Sequence, residues 1–197
     1  EATGIIITGY GASIGSSTIT SAGSVISSGG RGIDINNVHP YLTLTQSAGL
    51  ISGASDGIYA LLGSQTITAT ITTSGEIIGS GGSGIYVSGW GADLIVNQDS
   101  GSINGSTNGI YVNHNGQSSS TNPSGKTAIT IAGDVTGTDL GIVAINSGFT
   151  SDLTITQNAG KISGGSGGIV ASNIATGATV VTVSGDVTAT DNGDGIY

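Results

Sequence analysis

Gly75-Glu-Ile-Ile-Gly-Ser-Gly-Gly-Ser-Gly84-Ile-Tyr-Val87 is echoed 26 residues later by Gly101-Ser-Ile-Asn-Gly-Ser-Thr-Asn-Gly109-Ile-Tyr-Val112. Working outward, the leading glycine followed two residues on by Ile or Val recurs at Gly23, Gly49, Gly133, Gly160 and Gly185. Over all seven sites the intervals are 26, 26, 26, 32, 27 and 25 residues. The Gly-Ile pair keeps step with it at Gly32, Gly57, Gly141, Gly168 and Gly195, and Gly4-Ile5 supplies one earlier copy. Two markers in register along the whole chain signify a stack of repeated units rather than a conventional globular core.

Between the markers apolar and polar residues alternate, as in Leu42-Thr-Leu44, Leu94-Ile-Val96, Leu153-Thr-Ile155 and Val181-Thr-Val183. A period of two with β-branched residues is the pattern of half-buried strands, and no segment carries a helical period. Each repeat is therefore a coil of about three short strands with Gly, Ser and Asn turns. One coil cannot bury its apolar face, so successive coils stack at roughly 4.8 Å. The expected fold is all-β: a right-handed parallel β-helix (β-solenoid) of about eight coils of 25–27 residues, forming one domain over residues 1–197. Handedness here follows the general rule for parallel crossovers. Eight such coils make a rod of roughly 40 Å. The chain begins and stops in mid-coil, which reads as a piece of a longer protein.

The coils come in two kinds. One carries Gln46-Ser-Ala-Gly49, Gln98-Asp-Ser-Gly101 and Gln157-Asn-Ala-Gly160, with the inward Leu44, Val96 or Ile155 five residues before the glycine. In the other the inward Ile19, Ile71, Ile129 or Val181 stands four before it. The single long interval places a loop insertion at about residues 115–126, in a stretch rich in Gly, Ser, Asn and Pro.

Composition narrows the function. Glycine fills 37 of 197 positions, acidic residues outnumber basic ones 12 to 3, and the net charge is −9. Arg31, Lys126 and Lys161 are too few and too scattered to follow a phosphate backbone, so nucleic acid is not an expected partner. An anionic membrane surface is disfavoured on the same ground, and no apolar run is long enough to span a bilayer. With no cysteine there are no disulfides and no thiolate metal ligands. Nor do the residues imply a cofactor.

The repeat style resembles the passenger domains of bacterial autotransporters and related large surface adhesins. The clearest instances are Gly75 to Val87 and Gly101 to Val112. That resemblance implies a secreted, cell-surface location outside the bacterial outer membrane, an extended β-helix stalk and a role in adhesion or virulence. Its implied partners are a host cell-surface protein, matrix or glycan, or sister molecules through self-association. A purely structural stalk or filament segment is the alternative.

Polysaccharide-acting enzymes also use this fold, with carboxylates clustered on one face. Here the acids sit beside turn glycines, as in Asp56-Gly57, Gly133-Asp134, Gly185-Asp186 and Asp194-Gly195, where turn chemistry accounts for them. Asp93 and Asp99 near Trp90 form the best acidic pair but lack a cationic neighbour. The run Asp186…Asp191-Asn-Gly-Asp194 matches no calcium-loop spacing. His39 and His114 are far apart with no third ligand in view, so no metal site is expected. The chain is read as a non-enzyme.

Two outward columns remain. The position between Ile and Val in Gly-Ile-x-Val holds Asp34, Tyr59, Tyr86, Tyr111, Val143, Val170 and Tyr197 in order. Tyr59, Tyr86 and Tyr111, with Trp90 and His114 nearby, are the expected binding residues of an exposed aromatic stripe. The second column is Thr-x-Thr at Thr18/Thr20, Thr43/Thr45, Thr70/Thr72 and Thr154/Thr156, interrupted by Ile95, Asn97 and Ala128. Such arrays resemble the ice-contacting faces of some antifreeze proteins, although strand propensity alone also favours threonine there.

Overall fold

The computed structural model describes residues 3–9, 15–36, 40–63, 66–90, 93–115, 125–147 and 151–197. It is a β-solenoid with no helix among the described residues. A representative coil consists of Thr68–Thr73, Glu76–Gly79 and Ile85–Gly89. Each strand pairs in parallel with its equivalent in the next coil, giving three sheets. Sheet 1 contains the Thr68–Thr73 type and sheet 2 the Glu76–Gly79 type, with seven strands each. Sheet 3 contains the Ile85–Gly89 type and has eight strands. The 22 strands of the described residues make seven complete coils after a leading strand, Ile5–Thr8, slightly fewer than the eight expected. The shortfall arises because Gly4-Ile5 opens only a sheet-3 strand. Most of the insertion, residues 116–124, lies outside the described residues.

The inward residues stack as single-residue columns. In sheet 1, Ile19, Leu44, Ile71, Val96, Ile129, Ile155 and Val181 are in direct register, as the alternation predicts. Ile51, Ile77, Ile103, Val135 and Ile162 do the same in sheet 2. These residues are buried, apart from the partly covered Val181 of the last coil. Full burial of such a side chain is worth about 1.5–3 kcal/mol, and each has an Ile, Leu or Val at the same register of the neighbouring coil. Close stacking also explains the second marker. A Cβ on Gly84 would lie 2.6 Å from Ile103 Cγ2 and 2.8 Å from the Gly109 carbonyl oxygen.

The two kinds of coil have a physical cause. Gln46, Gln98 and Gln157 are fully buried at one corner of the triangle. Gln98 Nε2 donates to the Gly101 carbonyl at 3.1 Å and to the Asp134 carbonyl of the next coil at 3.1 Å. Gln46 and Gln157 repeat both bonds with Gly49 and Glu76, and with Gly160 and Asp186. Each amide thereby ties its own corner to the following one. The extra residue of these coils is absorbed by Gly49, Gly101 and Gly160, whose φ values are 82°, 81° and 79°. In the alternate coils the equivalent glycine is needed for a different reason. A Cβ on Gly75, Gly133 or Gly185 would come within 2.6–2.8 Å of the glutamine Nε2 below.

Two substitutions test this corner. Gly101→Ala forces an L-residue into the left-handed region and against the Gly75 carbonyl, and should cost about 2 kcal/mol or more. Gln98→Ala strips donors from two carbonyls and should cost about 2–3 kcal/mol. Urea denaturation of each variant reads both losses, whereas Asn104→Ala on the outside of sheet 2 should change stability by less than about 1 kcal/mol.

Candidate functional site

Sheet 3 carries the expected tyrosine column. Asp34, Tyr59, Tyr86, Tyr111, Val143 and Val170 are register partners on successive coils, all on the outward parity of their strands. Because the strand pairing fixes the Cα atoms in line, the three rings have no choice but to face one another. Their centroids lie 4.8 and 5.0 Å apart, with interplanar angles of 8° and 5°. Each ring is half-buried. The faces between successive rings are covered by the stack itself, so Tyr86 offers solvent its edge and hydroxyl and not an open stacking platform.

One end of the row is capped by charge. Arg31 Cζ sits 3.3 Å from the Tyr59 ring centroid, within the range of a cation–π contact. Its guanidinium is fixed by Asp34 at 3.0 Å and Asp56 at 3.4 Å. Burial works against the Arg31 charge, but the hydrogen bond and charge of Asp34, with Tyr59 and Asp56, outweigh it and raise the pKa. Asp34 also accepts from Asn36 Nδ2 at 2.7 Å. Beside this cluster is an open recess of about 410 Å³ lined by Thr3, Gly30, Arg31, Asp34 and Ser55. Desolvation in the middle of the stack, reinforced by Tyr59 and Tyr111, raises the Tyr86 phenol pKa. The raised value keeps the central phenol, Tyr86, a neutral donor at physiological pH.

Two residues expected on this stripe behave differently. Trp90 follows the strand Ile85–Gly89 and is 46% exposed, yet it makes no ring contact with the tyrosines. His114 is not on the stripe. It has the same parity as the inward Ile110 and Val112, and is fully buried. Proximity in sequence to Tyr111 concealed this, because three residues along a strand reverse the face. His114 is in register between Gly89 and Asn146, with Nδ1 3.2 Å from Thr127 Oγ1 and no partner for Nε2 among the described residues. It joins the two ends of the insertion. Asn146 and Asn173, the next members of the column, close later corners by donating to the Ser151 carbonyl.

Four of the acids are occupied with backbone. Asp56 accepts from the Ser83 amide, Asp93 from Lys126, Asp134 from Lys161 and Asp152 from Ala178, at 2.8–2.9 Å. Each carboxylate thus satisfies a donor in the following coil. Asp93 and Asp99 lie at opposite ends of one sheet-1 strand and its turn, and do not converge. Among the described residues no three His, Asp or Glu side chains are placed to hold a metal ion. His39 lies outside the described residues.

The threonine face belongs to sheet 1. One outward column reads Thr18, Thr43, Thr70, Ile95, Ala128, Thr154 and Val180. The other reads Thr20, Thr45, Thr72, Asn97, Thr130, Thr156 and Thr182, so only one of its positions departs from threonine. Neither column contains a charge. No protein family model, curated protein or solved structure gives a match to this chain. The site must be judged on its own geometry.

His114 gives a pH test. Burial pushes the imidazole below its ordinary value of 6.5, with the Asp93 charge acting in the opposite direction. The unfolded chain then binds the proton more readily. Stability from this residue is complete above about pH 6.5 and is lost as the pH falls through that value toward the folded pKa. The loss should approach about 1.4 kcal/mol per pH unit inside that window. Urea midpoints at pH 8 and pH 5 should differ clearly more for the native chain than for His114→Asn, which installs the residue found at Asn146 in the same column.

Proposed function

We propose that this chain is a segment of a non-enzymatic, passenger-type surface protein whose tyrosine column is a recognition strip for a host cell-surface protein, matrix or glycan outside the cell. The observation that carries this reading is the stack of Tyr59, Tyr86 and Tyr111, held at coil spacing and clamped at one end by Arg31. Its three hydroxyls form a rigid row beside a polar recess, and presenting them requires little further ordering of side chains on binding. The acidic, uncrowded remainder of the surface suits an extracellular rod. The engagement of Asp56, Asp93, Asp134 and Asp152 with backbone amides gives those acids a structural role. Repeat style, fold and site together favour this over a bare stalk.

A second reading rests on sheet 1. Strand propensity acts on all three sheets, yet threonine gathers on the two uncharged columns of one, while sheet 2 mixes Glu76, Asp134, Lys161 and Asp186 at a single outward register. Their hydroxyls repeat at about 4.8 Å across coils and about 6.6 Å along strands, the kind of lattice an ice surface could meet.

Binding to cultured host cells and to a glycan array separates these readings. The native chain should bind saturably, and Tyr59→Phe/Tyr86→Phe/Tyr111→Phe, which keeps the rings, should lose about tenfold or more because hydroxyls make the contact. Equal binding by native chain and triple variant removes the strip from consideration. Absence of binding by the folded native chain favours the stalk. In a separate ice-recrystallisation assay, inhibition by the native chain that disappears in Thr45→Lys/Thr72→Lys would establish the second reading, and no inhibition would eliminate it.

A further inference from the structure

The tyrosine column has a chemical property that does not depend on whether it recognises a partner. Among the described residues, Tyr59, Tyr86 and Tyr111 are the tyrosines with another tyrosine at the same register of an adjacent coil. Tyr41 has Ser16 and Thr68 as its neighbours, and Tyr197 follows the Val170 register. Both of these are more exposed than the stacked rings, at 49% and 81%. The rings of the stack are nearly parallel, and their centroids are one coil apart at 4.8 and 5.0 Å. With planes within 8° of each other and backbones locked in register, each phenol ring faces the equivalent ring of the next coil at contact distance. The three tyrosines are only half-buried, so part of each phenol remains exposed at the surface for oxidation.

We propose that this stack is a site of oxidative cross-linking, at which Tyr86 couples to Tyr59 or Tyr111 to form an intramolecular dityrosine staple between coils. The co-reactant is a peroxide acting through a haem peroxidase. Each of two phenols gives up one electron and one proton, producing two phenoxyl radicals. The radicals join through ortho carbons, forming one C–C bond. Each ring then regains aromaticity by moving the hydrogen of its new bonding carbon to its oxygen. One link releases two hydrogen atoms in all, and these reduce one molecule of hydrogen peroxide to two of water.

The geometry favours coupling inside one molecule over coupling between molecules. A radical on Tyr86 has a partner ring within contact on either side, at an effective concentration no dilute solution provides. Coupling also asks little of the fold, since rotation of two rings about their Cβ–Cγ bonds brings the ortho carbons edge to edge while the strands stay in register. The product would covalently join sheet-3 strands that are otherwise held by hydrogen bonds and side-chain packing.

The test treats the folded chain at low micromolar concentration with hydrogen peroxide and a haem peroxidase, then isolates the monomer-sized fraction. The native chain should show dityrosine fluorescence there, a mass lower by two hydrogens, and a linked proteolytic peptide containing Tyr86. Tyr86→Phe preserves a ring in the stack but leaves Tyr59 and Tyr111 two coils apart, roughly 10 Å. Its monomer fluorescence should fall at least tenfold, whereas Tyr59→Phe, which leaves the Tyr86–Tyr111 pair, should retain a substantial part. Unfolding the native chain in urea before oxidation should abolish the Tyr86 link, which separates register from mere reactivity. The proposal is overturned if the folded native chain gives only dimers joined through Tyr41 or Tyr197, or if Tyr86→Phe monomers are as fluorescent as native ones.

Discussion

Parallel, in-register pairing of each coil with the next is the constraint on which everything else in this molecule depends. Once equivalent residues are placed directly above one another, a choice made at one position is repeated along the rod. Inward, it forces isoleucine onto isoleucine and produces a core of continuous columns with no separate layers to pack. At the corners it obliges a long amide and a close-packed glycine to alternate. Outward, it brings three phenol rings into face-to-face contact, an arrangement that no pair of them would be held in by local sequence alone. Stability in such a rod is approximately a sum of coil and interface terms, so the inter-coil bonds of Gln98 or Asp134 matter to two coils at once.

Much of this was legible in the sequence because the repeat exposes registers directly. The inward column from Ile19 to Val181 and the outward column from Asp34 through the tyrosines both lie where the alternation places them. The spacing of four or five residues before the marker glycine also separates the two coil types correctly. What spacing did not reveal was the reason, since a glutamine two residues past an inward valine has the parity of the core and only tertiary geometry supplies carbonyls for it. His114 is the same lesson reversed. Its parity was available from Val112, but its neighbourhood in the chain drew attention to Tyr111. The coil count came out slightly high for a simpler cause, an early Gly-Ile pair that begins one strand only.

The candidate site was partly legible. The tyrosine positions followed from periodicity, but their stacked orientation and the clamp by Arg31, which is separated from Tyr59 by a whole coil of sequence, did not. Threonine shows the opposite case. Read along the chain, its column seemed broken at Ile95, Asn97 and Ala128, yet register assigns these to two columns and restores Thr130 and Thr182 to one of them. Asp56, Asp93, Asp134 and Asp152 are spread along the rod, each matched to one backbone donor a coil away, and the acids that do converge, Asp34 and Asp56, meet on Arg31.

The alternation of glutamine corners sets a quantum for the length of the rod. A duplication or deletion of one coil would bring two corners of the same kind together: either two glutamine corners, each with a left-handed glycine turn, or two plain ones with no glutamine amide between them. Only the gain or loss of an even number of coils preserves the alternation. The natural step of growth for this architecture is therefore the pair, 52 residues from Gly49 to Gly101, and rods of this design should differ from one another by that increment.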